Sequence, residues 1–232
     1  MCKKLVSVLA GLVLALGFVC DLSAEYIDAK AFPFATAIQG PPAPDSPAGQ
    51  AEFAAMLTLQ EYRAADDVQR VRADNLLNLH LSFDDVMGDW FVHGRLPLTM
   101  KLLRHVVTDI GAVTDLAKKN WNRARPYQQN RDIKPCVGVP GNASYPSGHT
   151  SNAFSNALPL ADLCPDLKDA ILARAERIGK GRVVAGVHFP SDVRDARLLV
   201  EAVYREIAAT PQFQADLAAA KAEVEQVRNA AR

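Results

Sequence analysis

Apolar residues recur at helical spacing along most of the chain, and capping residues stand at several segment starts. Ser46–Pro47 predicts a helix start, because serine caps helix N-termini and proline fits the first helical position. Pro97 opens a long helix and Thr210–Pro211 opens the last one. The long helix should end near Arg123, because the residue before Pro126 is pushed out of the helical region. Its apolar stripe consists of Leu103, Val106, Val107, Ile110, Val113 and Ala117.

Further segments carry the same periodicity, and β-branched runs are few. These segments cover about 66–78, 147–160, 165–186 and 190–208. Residues 25–46 are rich in proline and predict an extended arm, whereas residues 126–146 predict a long irregular loop of the kind that often carries function. The 37 alanines and the aromatic content of 7% favour helices over sheets. The sequence therefore predicts an all-α fold, a single-domain helical bundle over residues 47–232.

The first 24 residues have the features of a secretory signal peptide. Lys3 and Lys4 precede a mostly apolar run from Leu5 to Cys20, and Ala24 provides a small residue at the exit. The alternatives are an uncleaved anchor and lipidation at Cys20, but the run is shorter than the roughly 20 residues that a spanning helix needs. We expect cleavage after Ala24, a periplasmic or secreted protein, and no stable membrane span after cleavage.

The charge balance limits the classes of partner. The chain has 26 Lys and Arg against 26 Asp and Glu, and 49% of its residues are hydrophobic. Neutrality argues against binding to nucleic acid through a strongly basic surface. The hydrophobic content also excludes a disordered chain. Small molecules are the expected partners, and a homo-oligomer remains open.

Two cysteines remain after the expected cleavage, Cys136 and Cys164. In an exported protein such a pair can form one disulfide. The bond would close a loop of about 28 residues and stabilise the fold by about 3.5 kcal/mol in the chain-entropy model. The sequence thus predicts this pairing, although spacing along the chain does not show whether the two Cα atoms are close enough.

Three clusters of polar residues carry candidate chemistry, and the first contains Lys118 and Arg125. These residues are seven positions apart, or two helical turns, so they share one face if the helix persists. Two cations stacked in this way suit an anion with several oxygens. The alternative is a basic helix C-terminus that complements the helix dipole.

The second cluster is Ser147–Gly148–His149, at the start of a predicted helix. Backbone N–H groups at a helix start are free to hold an anion, and Gly148 lets a ligand approach the backbone closely. His149 would then lie beside the anion. The alternative is an ordinary N-cap at Ser147 with an exposed histidine.

The third cluster contains Arg182, His188 and Asp192. Pro190 predicts a helix start, so Asp192 falls in the first turn and could reach back to His188. A carboxylate on one ring nitrogen fixes the tautomer and frees the other nitrogen for nucleophilic attack. The alternative makes Asp192 a capping-box residue and His188 a packed loop residue.

Together the clusters favour one chemistry. Three cations, two histidines and one carboxylate fall within residues 118–192, and no cluster has convincing spacing for a metal site. The set fits metal-free phosphoryl transfer, in which the cations hold phosphate oxygens, one histidine attacks and the other protonates the leaving oxygen.

The combined pattern resembles the three-part signature of the type 2 phosphatidic acid phosphatase superfamily. The motifs are Lys118-x6-Arg125-Pro126, Pro146-Ser147-Gly148-His149 and Arg182-x5-His188-x3-Asp192. That superfamily includes bacterial non-specific acid phosphatases, membrane lipid phosphatases and vanadium haloperoxidases. The export signal, the size and the proline-rich arm resemble the secreted class A acid phosphatases most.

The resemblance implies a helical fold of the acid phosphatase and vanadium haloperoxidase type and assigns roles to the residues. It implies a phosphohistidine on His188 and a general acid at His149, with no cofactor. It also implies phosphate binding by Lys118, Arg125, Arg182, Ser147, Gly148 and His149. One departure is Gly181, where the family usually has serine.

The leading interpretation is an acid phosphatase that hydrolyses small organic phosphomonoesters. A vanadium-dependent haloperoxidase and a non-catalytic phosphate-binding protein are the alternatives. Other polar residues match no motif and are interpreted as structural or solvated; these are His80, His93, His105, Asp84, Asp85 and Asp89.

Overall fold

The computed structural model describes residues 26–75 and 79–231, and for residues 79–81 it describes the backbone alone. Within these ranges the chain is helical and contains no strand. The predicted signal peptide and the His80 side chain lie outside the described residues. The helices are α1 (Phe34–Ala37), α2 (Pro47–Tyr62), α3 (Ala65–Ala73), α4 (Leu79–Met87), α5 (Pro97–Trp121), α6 (Pro126–Gln129), α7 (Gly148–Leu163), α8 (Lys168–Val184), α9 (Pro190–Ala208) and α10 (Pro211–Ala230).

The capping signals place the helix starts correctly. Ser46 Oγ accepts a hydrogen bond from Gly49 N at 3.1 Å, and Thr210 Oγ1 accepts one from Phe213 N at 3.3 Å. Helix α5 begins at Pro97 as predicted. It ends at Trp121, and the left-handed backbone of the next residue, Asn122 (φ 41°), stops the helix.

Several helices differ from the prediction. One turn of helix, α1, interrupts the arm that was predicted to be extended, and another, α6, follows Pro126. The predicted helix over 66–78 ends at Ala73, and residues 76–78 lie outside the described part. Helix α4 was not predicted from the sequence, because it is stabilised by contacts that form only in the folded state. Its Asp85 forms ion pairs with Arg174 and Arg177 of α8.

Helix α7 is the centre of the bundle. It packs against α8, α5 and α9, while α10 covers α5. Contact on several sides explains its many small residues, because bulky side chains would not fit between closely packed helices. The predicted stripe of α5 forms part of the main core, where Val106, Ile110 and Val113 are fully buried. Val107 is the exception, because it is only partly buried and does not belong to this core.

The predicted disulfide is wrong: the structure has Cys136 and Cys164 as free thiols. Cys164 is fully buried in the main core at the end of α7. Cys136 packs instead at the edge of a separate small cluster that contains Val71 and Val187. The pairing was inferred from the cysteine count, which carries no information on which apolar cluster each residue joins.

The helix ends that carry the predicted site residues meet around one region. These are the C-terminal ends of α5 and α8, the N-termini of α7 and α9, and the loop between α6 and α7. None of the described helices combines the length and the apolar character that a membrane crossing requires.

Candidate active site

The predicted pair of His188 and Asp192 is formed. Nδ1 of His188 lies 3.2 Å from Oδ2 of Asp192, and both side chains are buried. The same carboxylate accepts a hydrogen bond from Phe189 N at 2.9 Å, so Asp192 also caps α9. The helix start at Pro190 therefore places one carboxylate where it serves both as cap and as imidazole partner.

Arg125 fixes the tautomer of His188. Its Nη1 lies 2.8 Å from Nε2 of His188 and 2.8 Å from the carbonyl oxygen of Val187. Because a guanidinium nitrogen can only donate, Nε2 accepts the bond and keeps its lone pair, and the ring proton is on Nδ1. Burial lowers the pKa of His188 to about 3, against the opposing effect of Asp192. The ring is thus neutral in the free protein.

Asp192 is held by more donors than the sequence suggested. Burial alone would raise its pKa, but hydrogen bonds from His188 and Ser144 and the positive charge of Arg123 lower it. Ser144 donates from Oγ to Oδ2, and Arg123 donates from Nη1 to Oδ1 at 2.7 Å. The carboxylate therefore stays ionised although it is fully buried.

Arg123 is the main residue that sequence reasoning missed. Its Nη2 donates to Oε2 of Glu52 at 2.7 Å, and its guanidinium carbon lies 3.7 Å from the centre of the Phe189 ring. The only signal in the sequence for Arg123 was its position two residues before Arg125. Nothing in the sequence pointed to Glu52, because its contact with Arg123 spans 71 residues.

Lys118 is directed into the loop between α6 and α7. Its Nζ donates to the carbonyl oxygens of Ala143 at 2.7 Å and Pro146 at 2.6 Å. Burial and the nearby charge of Arg125 lower the pKa of Lys118 to about 8. A buried cation with one further donor can hold an anion strongly.

The segment at the start of α7 is built as predicted. Ser147 is the N-cap, and its Oγ accepts from Thr150 N at 3.4 Å and from Thr150 Oγ1 at 2.9 Å. A Cβ added to Gly148 would lie 3.6 Å from Cε of Lys118, so the missing side chain keeps this side of the site open. The first N–H groups of α7 have no partner within the helix, as at any helix start.

His149 follows in the first turn of α7. Its Nε2 lies 3.2 Å from the carbonyl oxygen of Asn75. Burial and the charge of Arg182 lower the pKa of His149 to about 4, and the Asn75 carbonyl opposes the shift. A bound phosphate would counteract the surrounding cations and favour the protonated ring.

Arg182 carries unsatisfied donors. Nη1 donates to Oδ1 of Asn75 at 2.9 Å, whereas the buried Nε and Nη2 bond to no described residue. Burial and the charge of Arg125 lower the pKa of Arg182 to about 10. Gly181 has a packing role, because a Cβ there would lie 3.2 Å from Cγ1 of Val71. A serine at this position would therefore require Val71 to shift by a few tenths of an ångström.

A cavity of about 310 Å³ lies at this region. Most predicted site residues reach it, and those that line it are Lys118, Arg125, Gly148, His149 and His188. Ser147, Arg182 and Asp192 are not among the lining residues. Asp192 contacts the lining residue His188 directly, and Asn75 joins Arg182 to the lining residue His149.

Other polar residues lie apart from this cavity. His105 packs edge-on against Tyr26, and His93 packs against Phe91. Asp84 and Asp85 lie within α4. In the described ranges, no group of three or more histidine, cysteine or acidic residues could hold a metal ion.

The pattern that defines the PAP2 superfamily matches residues 99–199. This chain contains a PAP2 superfamily domain. The matched span includes every predicted site residue, from Lys118 to Asp192. The matched span also covers α5 from its third residue, all of α7 and α8, and about half of α9.

Relatives of the PAP2 domain include several bacterial phosphatases. The chain is 33% identical to the non-specific acid phosphatase of Providencia stuartii over 147 residues, 61% of this chain and 59% of that protein. It is 36% identical to an acid phosphatase of Zymomonas mobilis over 139 residues, 58% of this chain and 51% of that protein. The chain is 29% identical to the non-specific acid phosphatase of Salmonella typhimurium, and the match covers 72% of this chain and 67% of that protein. The chain thus spans about half to two thirds of the length of these relatives.

One solved structure has the same helical fold. It is a transmembrane PAP2-type phosphatidylglycerolphosphate phosphatase from Bacillus subtilis, with a TM-score of 0.54 and 20% sequence identity. The similarity covers 71% of this chain and 87% of that one. This comparison confirms the predicted all-α fold.

Proposed function

We propose that the protein is an acid phosphatase that hydrolyses small organic phosphomonoesters through a phosphohistidine on His188. The observation that carries the proposal is the position of Nε2 of His188. This nitrogen carries no proton, accepts a hydrogen bond from Nη1 of Arg125 at 2.8 Å, and belongs to a side chain that lines the same cavity as Lys118 and His149. The relatives named as acid phosphatases support the same activity.

In the first step Nε2 attacks the phosphorus of the bound ester. The P–N bond forms while the P–O bond to the alcohol breaks, and the electron pair of that bond goes to the leaving oxygen. Arg125 transfers its Nη1 hydrogen bond from His188 to a phosphate oxygen, and Lys118 and Arg182 stabilise the charge that develops. Asp192 keeps the imidazolium oriented through its bond to Nδ1.

His149 supplies the proton to the leaving oxygen. Because Nε2 of His149 is hydrogen-bonded to the carbonyl oxygen of Asn75, Nδ1 of His149 is the nitrogen that delivers this proton. In the second step a water molecule gives a proton back to Nδ1 and attacks the phosphorus. The P–N bond breaks, and inorganic phosphate and neutral His188 are released.

The cations perform the electrostatic work that a metal ion does in other phosphatases. We therefore expect full activity in EDTA. Inhibition by vanadate is also expected, because its trigonal-bipyramidal form resembles the transition state. Complete loss of phosphatase activity in EDTA, with recovery on addition of a divalent ion, would contradict this part of the proposal.

We further propose that the protein is exported and that residues 1–24 are removed. The motivation is the basic, then apolar, then small-residue order at the N-terminus. N-terminal sequencing of the protein from the periplasmic fraction should begin at Glu25. Recovery of the intact chain in the membrane fraction would contradict export with cleavage.

The test of the activity is turnover of p-nitrophenyl phosphate by the purified protein at acidic pH. His188→Ala should abolish this turnover, while Arg194→Ala, an exposed control on α9, should retain it. Phosphate binding without turnover, or bromide oxidation with vanadate and peroxide but no ester hydrolysis, would refute the proposed phosphatase.

A further inference from the structure

Arg125 engages all five N–H donors of its guanidinium. One N–H of Nη1 donates to Nε2 of His188 and the other to the carbonyl oxygen of Val187, each at 2.8 Å. Nη2 donates to Oδ1 of Asn142 at 2.7 Å and to the carbonyl oxygen of Ala143 at 3.3 Å. Nε donates to the carbonyl oxygen of Asn142 at 2.9 Å. Arg125 therefore has no spare donor for a phosphate.

Phosphate binding to Arg125 requires one of these bonds to be given up. The bond to His188 is the one that must break, because Nε2 needs its lone pair to attack phosphorus. The other bonds can stay. They then hold the rigid plane of the guanidinium while one N–H of Nη1 passes from the imidazole to a phosphate oxygen. The direction of that N–H depends on the groups that keep the remaining bonds.

Asn142 provides two of the remaining bonds, one from its backbone and one from its side chain. These bonds tie Nε and Nη2 of Arg125 to a single residue, and the third nitrogen, Nη1, is thereby directed at His188. Asn142 itself lines the cavity. It therefore acts where the phosphate would be bound.

The loop around Asn142 is fixed on both sides. The hydroxyl of Tyr127 donates to the carbonyl oxygen of Pro140 at 2.8 Å, and Nζ of Lys118 donates to the carbonyl oxygen of Ala143 at 2.7 Å. Because the flanking backbone is held in this way, the amide oxygen of Asn142 is already in place for the guanidinium.

We propose that Asn142 is a positioning residue that directs Arg125 at His188 and at the transferred phosphate. Its side chain holds Nη2 and its backbone holds Nε, so Nη1 stays aligned as the P–N bond forms. The role rests on the proposed phosphatase function and adds to it a residue outside the three polar clusters of the sequence.

The test observes Nε2 of His188 directly, by nitrogen NMR of the protein with isotope-labelled histidine. The resonance is identified by its absence from His188→Ala. In the unmodified protein it should be that of an unprotonated nitrogen that accepts a hydrogen bond. In Asn142→Ala it should move downfield, because Arg125 is no longer held in line with the ring and the bond to Nε2 weakens.

The kinetics of Asn142→Ala should show a loss in the transition state. We expect kcat/KM for nitrophenyl phosphate to fall about tenfold, the effect of one hydrogen bond to a charged group. The inhibition constant of vanadate, which resembles the transition state, should rise by a similar factor. That of inorganic phosphate should change much less, because Arg125 keeps its charge. A purely structural role would not alter the ratio of the two inhibition constants.

Two further variants separate the role of the oxygen from that of the side chain as a whole. Asn142→Asp keeps an oxygen acceptor in the same place, so the hydrogen-bonded Nε2 resonance and most of kcat should be retained. Its negative charge should raise KM for the dianionic ester. Asn142→Leu has nearly the same shape without an acceptor and should behave as Asn142→Ala, which keeps the test available if the alanine variant does not fold.

Asn152→Ala is the matched control for the NMR measurement. Asn152 also lines the cavity, but its oxygens accept from Nδ2 of Asn156 and not from Arg125. The Nε2 resonance of His188 should therefore stay where it is in the unmodified protein. Circular dichroism checks that each variant is folded.

The outcomes separate the positioning role from the activity. An unchanged Nε2 resonance or an unchanged kcat/KM in folded Asn142→Ala would overturn the role, while nitrophenyl phosphate turnover by the unmodified protein still upheld the phosphatase. Loss of the hydrogen-bonded resonance in Asn142→Asp would overturn the role as well. Absence of turnover by the unmodified protein would overturn the proposed function and the role of Asn142 with it.

Discussion

Nη1 of Arg123 lies 2.7 Å from Oδ1 of Asp192, and both side chains are buried. The same guanidinium binds Glu52 at 2.7 Å, so charged groups form a chain from α2 to His188. Asp192 is thereby fixed on one side by Arg123 and on the other by the imidazole. This arrangement makes Arg123 a positioning residue that acts on His188 through Asp192.

Replacing Arg123 with alanine should lower kcat for nitrophenyl phosphate by about 10- to 100-fold, because Asp192 loses the partner that orients it. KM should change less, since Arg123 is not among the residues that line the cavity. Two buried carboxylates would also lose their partner, at a cost of about 3–5 kcal/mol in unfolding free energy. Steady-state kinetics and urea unfolding measure both effects.

Arg194→Ala is the matched control for that change, because Arg194 pairs with Asp195 on α9 but is 66% exposed. Its kcat should stay near the unmodified value. Arg123→Lys should recover part of the lost kcat, as it restores the charge without the second branch of the guanidinium. An Arg123→Ala protein that is folded and fully active would refute the positioning role.

The loss of kcat in His149→Ala should depend on the leaving group of the substrate. An alkoxide needs a proton as it leaves, so kcat for n-propyl phosphate should fall by about 100-fold or more. The nitrophenolate ion leaves without a proton, so the loss with nitrophenyl phosphate should be clearly smaller. Equal losses with the two esters would show that His149 does not act as the general acid.

The stability of the ligand-free protein should fall in acid because of the buried histidines. Burial lowers the pKa of His149 to about 4 and that of His188 to about 3, whereas both take ordinary values near 6.5 in the unfolded chain. Between pH 6.5 and about 4 the unfolded chain binds protons that the folded protein does not. The free energy of unfolding therefore decreases as the pH falls through this window.

His149→Gln should remove one of these protonation sites. The slope of unfolding free energy against pH should then decrease by about 1.2 kcal/mol per pH unit near pH 5, and by less toward pH 6.5 and pH 4. Above pH 7.5 the slope should not change, which provides an internal control. Identical slopes in the acidic window would mean that His149 is protonated in the folded, ligand-free protein.

The two free thiols should react differently. Cys136 is half-buried, whereas Cys164 is fully buried and burial raises the pKa of its thiol to about 11. Maleimide should therefore label Cys136 in the folded protein and Cys164 only after denaturation. Peptide mapping without reduction, with a peptide linking Cys136 to Cys164, would contradict the free thiols.

Much of the fold and site follows from local signals. Ser46, Pro97 and Thr210 act through neighbouring backbone groups, so the sequence located their helices. His188 and Asp192 are four positions apart, and the helix start at Pro190 determines how they meet. Such short-range geometry can be predicted without knowledge of the tertiary structure.

The parts that were missed depend on contacts distant in sequence. Glu52 meets Arg123 across 71 residues, and Asn75 meets Arg182 across 107. Helix α4 depends partly on ion pairs with α8, and Cys136 and Cys164 lie in separate clusters. No periodicity or spacing in a single sequence encodes these pairings.

The central claim is that Nε2 of His188 forms the covalent intermediate. The most direct measurement is to mix the protein with labelled nitrophenyl phosphate, quench it rapidly under alkaline conditions that preserve phosphohistidine, and map the label by mass spectrometry. We expect phosphate on His188 alone, and no label in His188→Ala. Phosphate on Ser147 or His149, or turnover by His188→Ala, would contradict it.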